Sequence, residues 1–148
     1  PGTGDIQLTL VQTVPITGAI MVTTPQEVAV IDAVKALNMF LLPNVNVPIL
    51  GVVENMSWFT PAELPDNKYY IFGKGGGKQL ADYAEAPLLG QIPLVQSVRE
   101  AGDNGTPVAT NADNLIFQNF KALAQNTAES VNKRNAEKAP TKIVEIKN

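Results

Sequence analysis

The sequence contains no cysteine and no histidine. Without cysteine there is no disulfide, no thiol nucleophile, no thiolate zinc finger and no iron–sulfur cluster held by this chain's own sulfur. Without histidine, Ser–His–Asp triads, imidazole metal sites and imidazole acid–base chemistry are excluded. Any catalysis must use carboxylates, lysine, backbone amides or a metal ion held by oxygens. Charge is sparse, at 17% of residues, and slightly acidic: 11 Lys+Arg stand against 14 Asp+Glu. That balance argues against a general nucleic-acid binder, which carries a basic excess. No apolar run approaches the roughly 18 residues of a membrane span, and no charged segment precedes a short apolar one as in a signal peptide. No membrane segment is therefore expected. The missing cysteines agree with a reducing compartment. The sequence opens at Pro1 rather than Met, as expected of a mature product or a fragment.

The 148 residues, 45% of them hydrophobic, suit one domain that buries roughly 70% of its unfolded surface without a covalent staple. Three segments share a shape: Val14-Pro15-Ile16-Thr17-Gly18, Val47-Pro48-Ile49-Leu50-Gly51 and Ala86-Pro87-Leu88-Leu89-Gly90. Each leads into a short apolar run: Ala19 to Val22, Val52-Val53, and Leu88 to Ile92. Proline is tolerated where a strand begins, because its missing N–H falls outside the ladder. Runs that are continuously apolar, rather than alternating, predict strands buried on both faces of a parallel sheet. The stretches between them are long enough for crossover helices. The expected architecture is α/β, a mostly parallel sheet flanked by helices.

Between the first two strands, Thr24-Pro25-Gln26-Glu27 reads as a capping Thr, a first-turn Pro and a capping-box Glu. Val30, Ile31, Val34, Leu37 and Leu41 follow at helical spacing, and Pro43-Asn44 closes the helix. Lys78 to Ala84 predicts a shorter helix opened by glycines. Phe117, Phe120, Ala124 and Val131 mark a longer helix starting around Asn111. The alternation over Lys142 to Ile146 suits an added edge strand. Residues 1–120 carry a net charge of −6 and residues 121–148 a net +3, which reads first as a solvated helix and tail.

Several segments are candidate sites. Pro1-Gly2-Thr3-Gly4-Asp5 is a glycine turn running into the apolar stretch Ile6 to Val14. It reads first as a plain turn, and second as a loop whose N–H groups approach an anion. Phe72-Gly73-Lys74-Gly75-Gly76-Gly77-Lys78 resembles a phosphate loop but fails its spacing: Phe72 stands where the first Gly is needed and Gln79 where Ser or Thr is needed. It reads as a loop and helix start. Asn55 lies where the second strand ends, and ligands of open α/β sheets bind beyond the carboxyl ends of strands. Its amide offers the donors and acceptor that read an adenine edge; it also suits a turn. Ile92-Pro93-Leu94 holds the matching end of the next strand. Glu54, the lone strand carboxylate, reads as a satisfied structural group. Trp58-Phe59 and Tyr69-Tyr70 flank a proline-rich excursion, Thr60 to Asn67, long enough to be a functional loop.

Taken in order, PGTGD, VTTPQEVAVIDA, VPILGVVENMSWF, IFGKGGGKQLA, LLGQIPL and VREAGDNGTPV resemble the Mrp/ApbC family, MinD-like P-loop ATPases of iron–sulfur cluster carriage. The match covers about residues 1–110, leaving 111–148 as a C-terminal helix and tail of the same domain. The resemblance implies a cytoplasmic homodimer that binds Mg–ATP between subunits and passes iron–sulfur clusters to apo-proteins. It places Gly2, Thr3, Gly4 and Asp5 in the switch near the γ-phosphate and attacking water, Asn55 as the adenine reader, and Pro93 and Val95 in the loop against the base. The family's Walker A loop and Walker B Asp lie ahead of PGTGD and are not in this sequence. The resemblance therefore implies the C-terminal part of a longer protein, inactive alone for want of the phosphate cradle. Many relatives also carry C-x-x-C after the E-N-M-S element; here Trp58 to Pro65 holds no thiolate, so this chain is not expected to hold a cluster itself. Two alternatives stand beside this reading: a non-enzymatic docking or dimerisation module, and a MinD-like ATPase without cluster carriage.

Overall fold

The structure, a computed structural model, describes residues 5–110 and 115–143. In chain order the elements are α1 (Asp5–Thr13), β1 (Ala19–Thr23), α2 (Glu27–Leu41), β2 (Ile49–Asn55), α3 (Gly76–Tyr83), β3 (Leu88–Ile92), α4 (Gln96–Asp103), a 3-10 turn at Val108–Thr110, and α5 (Leu115–Glu137). The three strands form one parallel sheet in the order β1-β2-β3. Ala19 pairs with Ile49, and Asn55 pairs with Ile92, so the carboxyl ends of β2 and β3 finish side by side.

The recurring Pro-x-x-Gly pattern has a packing cause. Pro48 and Pro87 cannot donate, but their carbonyls accept from Ala19 N–H at 2.8 Å and Val52 N–H at 2.9 Å. The glycine of the preceding Pro-x-x-Gly pattern sits against that same carbonyl. A Cβ on Gly18 would lie 2.8 Å from Pro48 O, and one on Gly51 would lie 2.7 Å from Pro87 O. Each pattern thus docks one strand entry onto the next.

Helices cover the sheet from both sides. On one face, Met21 and Val52 meet Leu37 of α2 and Leu80 and Ala81 of α3. On the other, Val53, Leu89 and Ile92 meet Phe120 and Leu123 of α5. A third cluster, Val11, Val45 and Val47, seats α1 near the strand entries. Polar residues of α5 also serve strand carbonyls: Asn126 Nδ2 donates to Leu89 O at 2.7 Å, and Ser130 Oγ donates to Leu50 O at 2.5 Å. These bonds satisfy acceptors that helix cover would otherwise leave dry.

Several expectations need correction. Thr24 does not cap α2. The N-cap is Gln26, extended at φ −62° and ψ 133°, and no side chain caps the helix. The Gln26 carbonyl takes the first helical N–H bonds, from Ala29 and Val30. Thr24 and Pro25 are used instead to turn the chain off the sheet, with the Pro25 carbonyl pressed so close to Gly76 that a Cβ there would lie 2.5 Å away. Helix α4 is not signalled by apolar periodicity: its sequence, QSVREAGD, is mostly polar and none of its residues is fully buried. Arg99 instead ties it to Asp103 one turn on, at 2.7 Å. Lys142 and Ile143 are in no strand, and the rest of the expected edge strand lies outside the described residues. So does the segment around Asn111; the described part of the long helix begins at Leu115.

Candidate functional site

β2 ends in Glu54 and Asn55, two neighbours with different duties. Glu54 is 1% exposed. Its Oε2 accepts the Gly77 N–H at 2.7 Å, and its Oε1 accepts Gln91 Nε2 at 2.7 Å. Gly77 is the second residue of α3, where backbone N–H groups lack helical partners. Gln91 is the register partner of Glu54 on β3. One carboxylate therefore joins β2, α3 and β3. Its closeness explains the glycine run: a Cβ on Gly77 would lie 2.5 Å from Glu54 Cβ. The start of α3, where a phosphate would otherwise bind, is already held by this chain's own carboxylate. The Phe72–Lys78 segment is thus a loop and helix start, as its failed spacing implies. Gln91 carries a sequence signal of its own: it is the one amide inside an apolar strand run, and it pairs with the strand carboxylate Glu54.

Asn55 faces a different environment. Its Oδ1 accepts the Met56 N–H at 3.0 Å, which leaves the second lone pair and both Nδ2 hydrogens unpartnered among the described residues. The residue borders a groove of about 640 Å³ that runs along the open edge of β1, between α1 and α2. Thr24 lines the same groove, and its Oγ1 is buried with no hydrogen-bond partner among the described residues. Buried hydroxyls are normally satisfied, so a polar atom is called for at this point. Gln7 and Leu10 bring the first turns of α1 to the groove.

Pro93 is buried and Val95 half-buried, in the turn between β3 and α4. This turn is stitched to the one after β2: Ser57 N–H donates to Ile92 O at 3.0 Å, and Leu94 N–H donates to Trp58 O at 2.8 Å. Asn55, Pro93 and Val95 therefore share the carboxyl end of the sheet. Asn55 and Val95 line different cavities. Val95 lines a separate depression with Phe59, Ile71 and Arg99. Asp5 is exposed at the first residue of α1, two residues ahead of Gln7. Gly2, Thr3 and Gly4 lie outside the described residues.

The excursion after β2 is pinned by its aromatics. Phe59 and Tyr69 exchange reciprocal backbone hydrogen bonds at 2.8 Å. Lys68 Nζ stands 4.0 Å above the Trp58 ring, and Lys74 Nζ 4.8 Å from the centre of Tyr70. Among the described residues no three Asp or Glu side chains gather to hold a metal ion. No described helix is long and apolar enough to cross a membrane.

Known proteins resemble the chain in sequence and fold. The chain is 48% identical to an iron–sulfur cluster carrier protein of Synechocystis over 132 residues, covering 88% of this chain and 37% of the relative. It is 44% identical to one of Deinococcus radiodurans over 146 residues, covering 97% and 40%. It thus spans about two-fifths of the length of these relatives. Among solved structures, a nucleotide-binding protein from Archaeoglobus fulgidus in complex with ADP superposes with a TM-score of 0.61 at 33% identity, covering 72% of this chain and 42% of that one. The Pyrococcus furiosus cell division ATPase MinD shares the fold, with a TM-score of 0.53 at 23% identity, covering 76% and 43%. The three parallel strands and their helices are thus part of a MinD-like P-loop NTPase fold. A family model matches residues 1–128, and on that match the chain belongs to the ParA family of NUBPL iron-transfer P-loop NTPases.

Proposed function

We propose that this chain is the C-terminal part of a longer Mrp-type ATP-binding protein, cytoplasmic and homodimeric, that hydrolyses Mg–ATP while handing iron–sulfur clusters to apo-proteins. The observation that carries the reading is Asn55 at the carboxyl end of β2, its Nδ2 hydrogens and one Oδ1 lone pair unspent among the described residues. An asparagine amide matches the N6 and N7 edge of adenine in donor and acceptor order, so this end of the sheet fits the base of the nucleotide. Pro93 and Val95 supply apolar surface from the neighbouring turn. Gly2, Thr3, Gly4 and Asp5 form the switch toward the γ-phosphate. The described residues do not fit Mg²⁺ by themselves, and the metal's ligands belong to the Walker A segment of the longer chain.

The open edge of β1 supports the same reading. Ile20 and Val22 are 38% and 61% exposed there, an unusual state for an apolar strand and one that a further strand and helix of the longer chain would cover. The cluster is cargo, and its thiolate ligands come from outside this sequence, which has no cysteine. That same absence favours one second reading, a MinD-like ATPase without cluster carriage. Isothermal titration of the native full-length chain with ATP tests the proposal. Asn55→Ala should weaken ATP binding by about tenfold or more, the effect of losing a bidentate base contact. Unchanged affinity would leave a docking or dimerisation module as the better account. Iron and sulfide analysis after anaerobic reconstitution separates the carrier from the cluster-free ATPase.

A further inference from the structure

A cavity of about 450 Å³ lies at the other end of the sheet, beside the segment that enters β2. Arg134, in the last turn of α5, lines it and is only 8% exposed. Its Nη1 donates to Asn135 Oδ1 at 3.1 Å, while its Nε has no hydrogen-bond partner among the described residues. No carboxylate among the described residues pairs with it either. A guanidinium stays charged in proteins, and a buried charge without a counter-charge is strongly unfavourable.

The rest of the lining does not relieve that charge. Lys138 and Lys142 add two more cations, Asn44 and Asn46 add side-chain amides, and no Asp or Glu is among the described lining residues. The Thr141 hydroxyl is already spent on the Ile16 carbonyl. This is a local departure in an otherwise acidic chain, since the net positive charge falls wholly after residue 120. The volume is within the range of small-molecule pockets, about 300–1,000 Å³.

We propose that this cavity is an anion site for a small phosphate-bearing molecule, with Arg134 as the planar fork and Lys138 and Lys142 as flanking point charges. Three cations exceed the single charge of a carboxylate and suit a phosphoryl dianion, and a guanidinium binds its oxygens two at a time. The site is remote from Asn55 and does not depend on the nucleotide reading.

Hydrogen–deuterium exchange of the native full-length chain tests this, read on peptides covering residues 40–48 and 134–143. Inorganic pyrophosphate and glycerol 3-phosphate are titrated separately to about 10 mM, against sodium chloride of equal ionic strength. The expected result is saturable protection of both peptides by a phosphate compound and none by chloride. Protection by pyrophosphate alone assigns free phosphates as the ligand, and protection by both extends it to esters. Lys138 and Lys142 are exposed, so Lys138→Ala with Lys142→Ala should keep the fold and raise the half-saturating concentration at least about tenfold. No protection, equal protection by chloride, or an unchanged titration in the double variant would overturn the proposal. Protection that appears only in Glu145→Gln would also overturn it, by showing that the tail's own carboxylate is the partner of Arg134.

Discussion

β2 and β1 are neighbours in one sheet and both are apolar, yet they live in different surroundings. Every residue from Leu50 to Glu54 of β2 is buried, whereas β1 alternates, with Met21 and Thr23 buried and Ile20 and Val22 exposed. The difference lies in the cover. β2 has α3 on one face, α5 on the other and a strand on each side. β1 has α2 and α3 on one face, β2 on one edge, and an open groove along the other. A strand's sequence states what it can tolerate on each face; its neighbours decide which faces are used.

Substitutions on the two strands and their supports sharpen that contrast. The largest effect is expected at Leu80, which is fully buried under β2. Leu80→Ala should cost about 3 kcal/mol through lost burial and the cavity left behind, read as a lower urea midpoint with an unchanged slope. Next is Glu54→Ala, which strands the Gly77 N–H and the Gln91 amide; it should destabilise by about 2 kcal/mol. Glu54→Gln, which retains an acceptor for the Gly77 N–H, should recover part of that loss. Val22→Thr on the open edge should change stability by no more than about 0.5 kcal/mol in this chain, as an exposed site does. If it cost as much as Leu80→Ala, β1 would be covered after all and the contrast would fail. The smallest stability effect belongs to Asn55→Ala, whose consequence should appear in ATP titration and barely in denaturation.

Particular residues show how far the sequence could be read. The apolar run at Val52 identifies a strand buried on both faces, where polar alternation is not tolerated. The run at Ala19 also marks a parallel strand, but one face of it is exposed instead of buried as expected. Helix α2 is legible in Val30, Val34 and Leu37, since burial of one stripe imposes a helical period. Thr24 misleads, because a cap motif describes only local hydrogen bonding, and here tertiary contact of Pro25 with Gly76 shifts the helix start by two residues. Helix α4 escapes notice because, without a buried residue, it has no stripe to read. The position of Asn55 at the end of β2 is legible in the sequence. The Glu54–Gly77–Gln91 junction is not, since its members lie 23 and 37 residues apart.

The sequence by itself determined the α/β class, the strand positions, the exclusion of thiolate and imidazole chemistry, and the order of motifs that marks the family. These follow from local periodicity and residue inventory, which need no knowledge of distant contacts. Only the tertiary structure decided that Glu54 fills the start of α3, that Asn55 shares a groove with a Thr24 hydroxyl unsatisfied among the described residues while Val95 does not, and that Arg134 is buried without a counter-charge among the described residues. Each of those depends on which remote segments meet. The free energy of a buried polar group is set by its partners in space rather than by its neighbours in the chain.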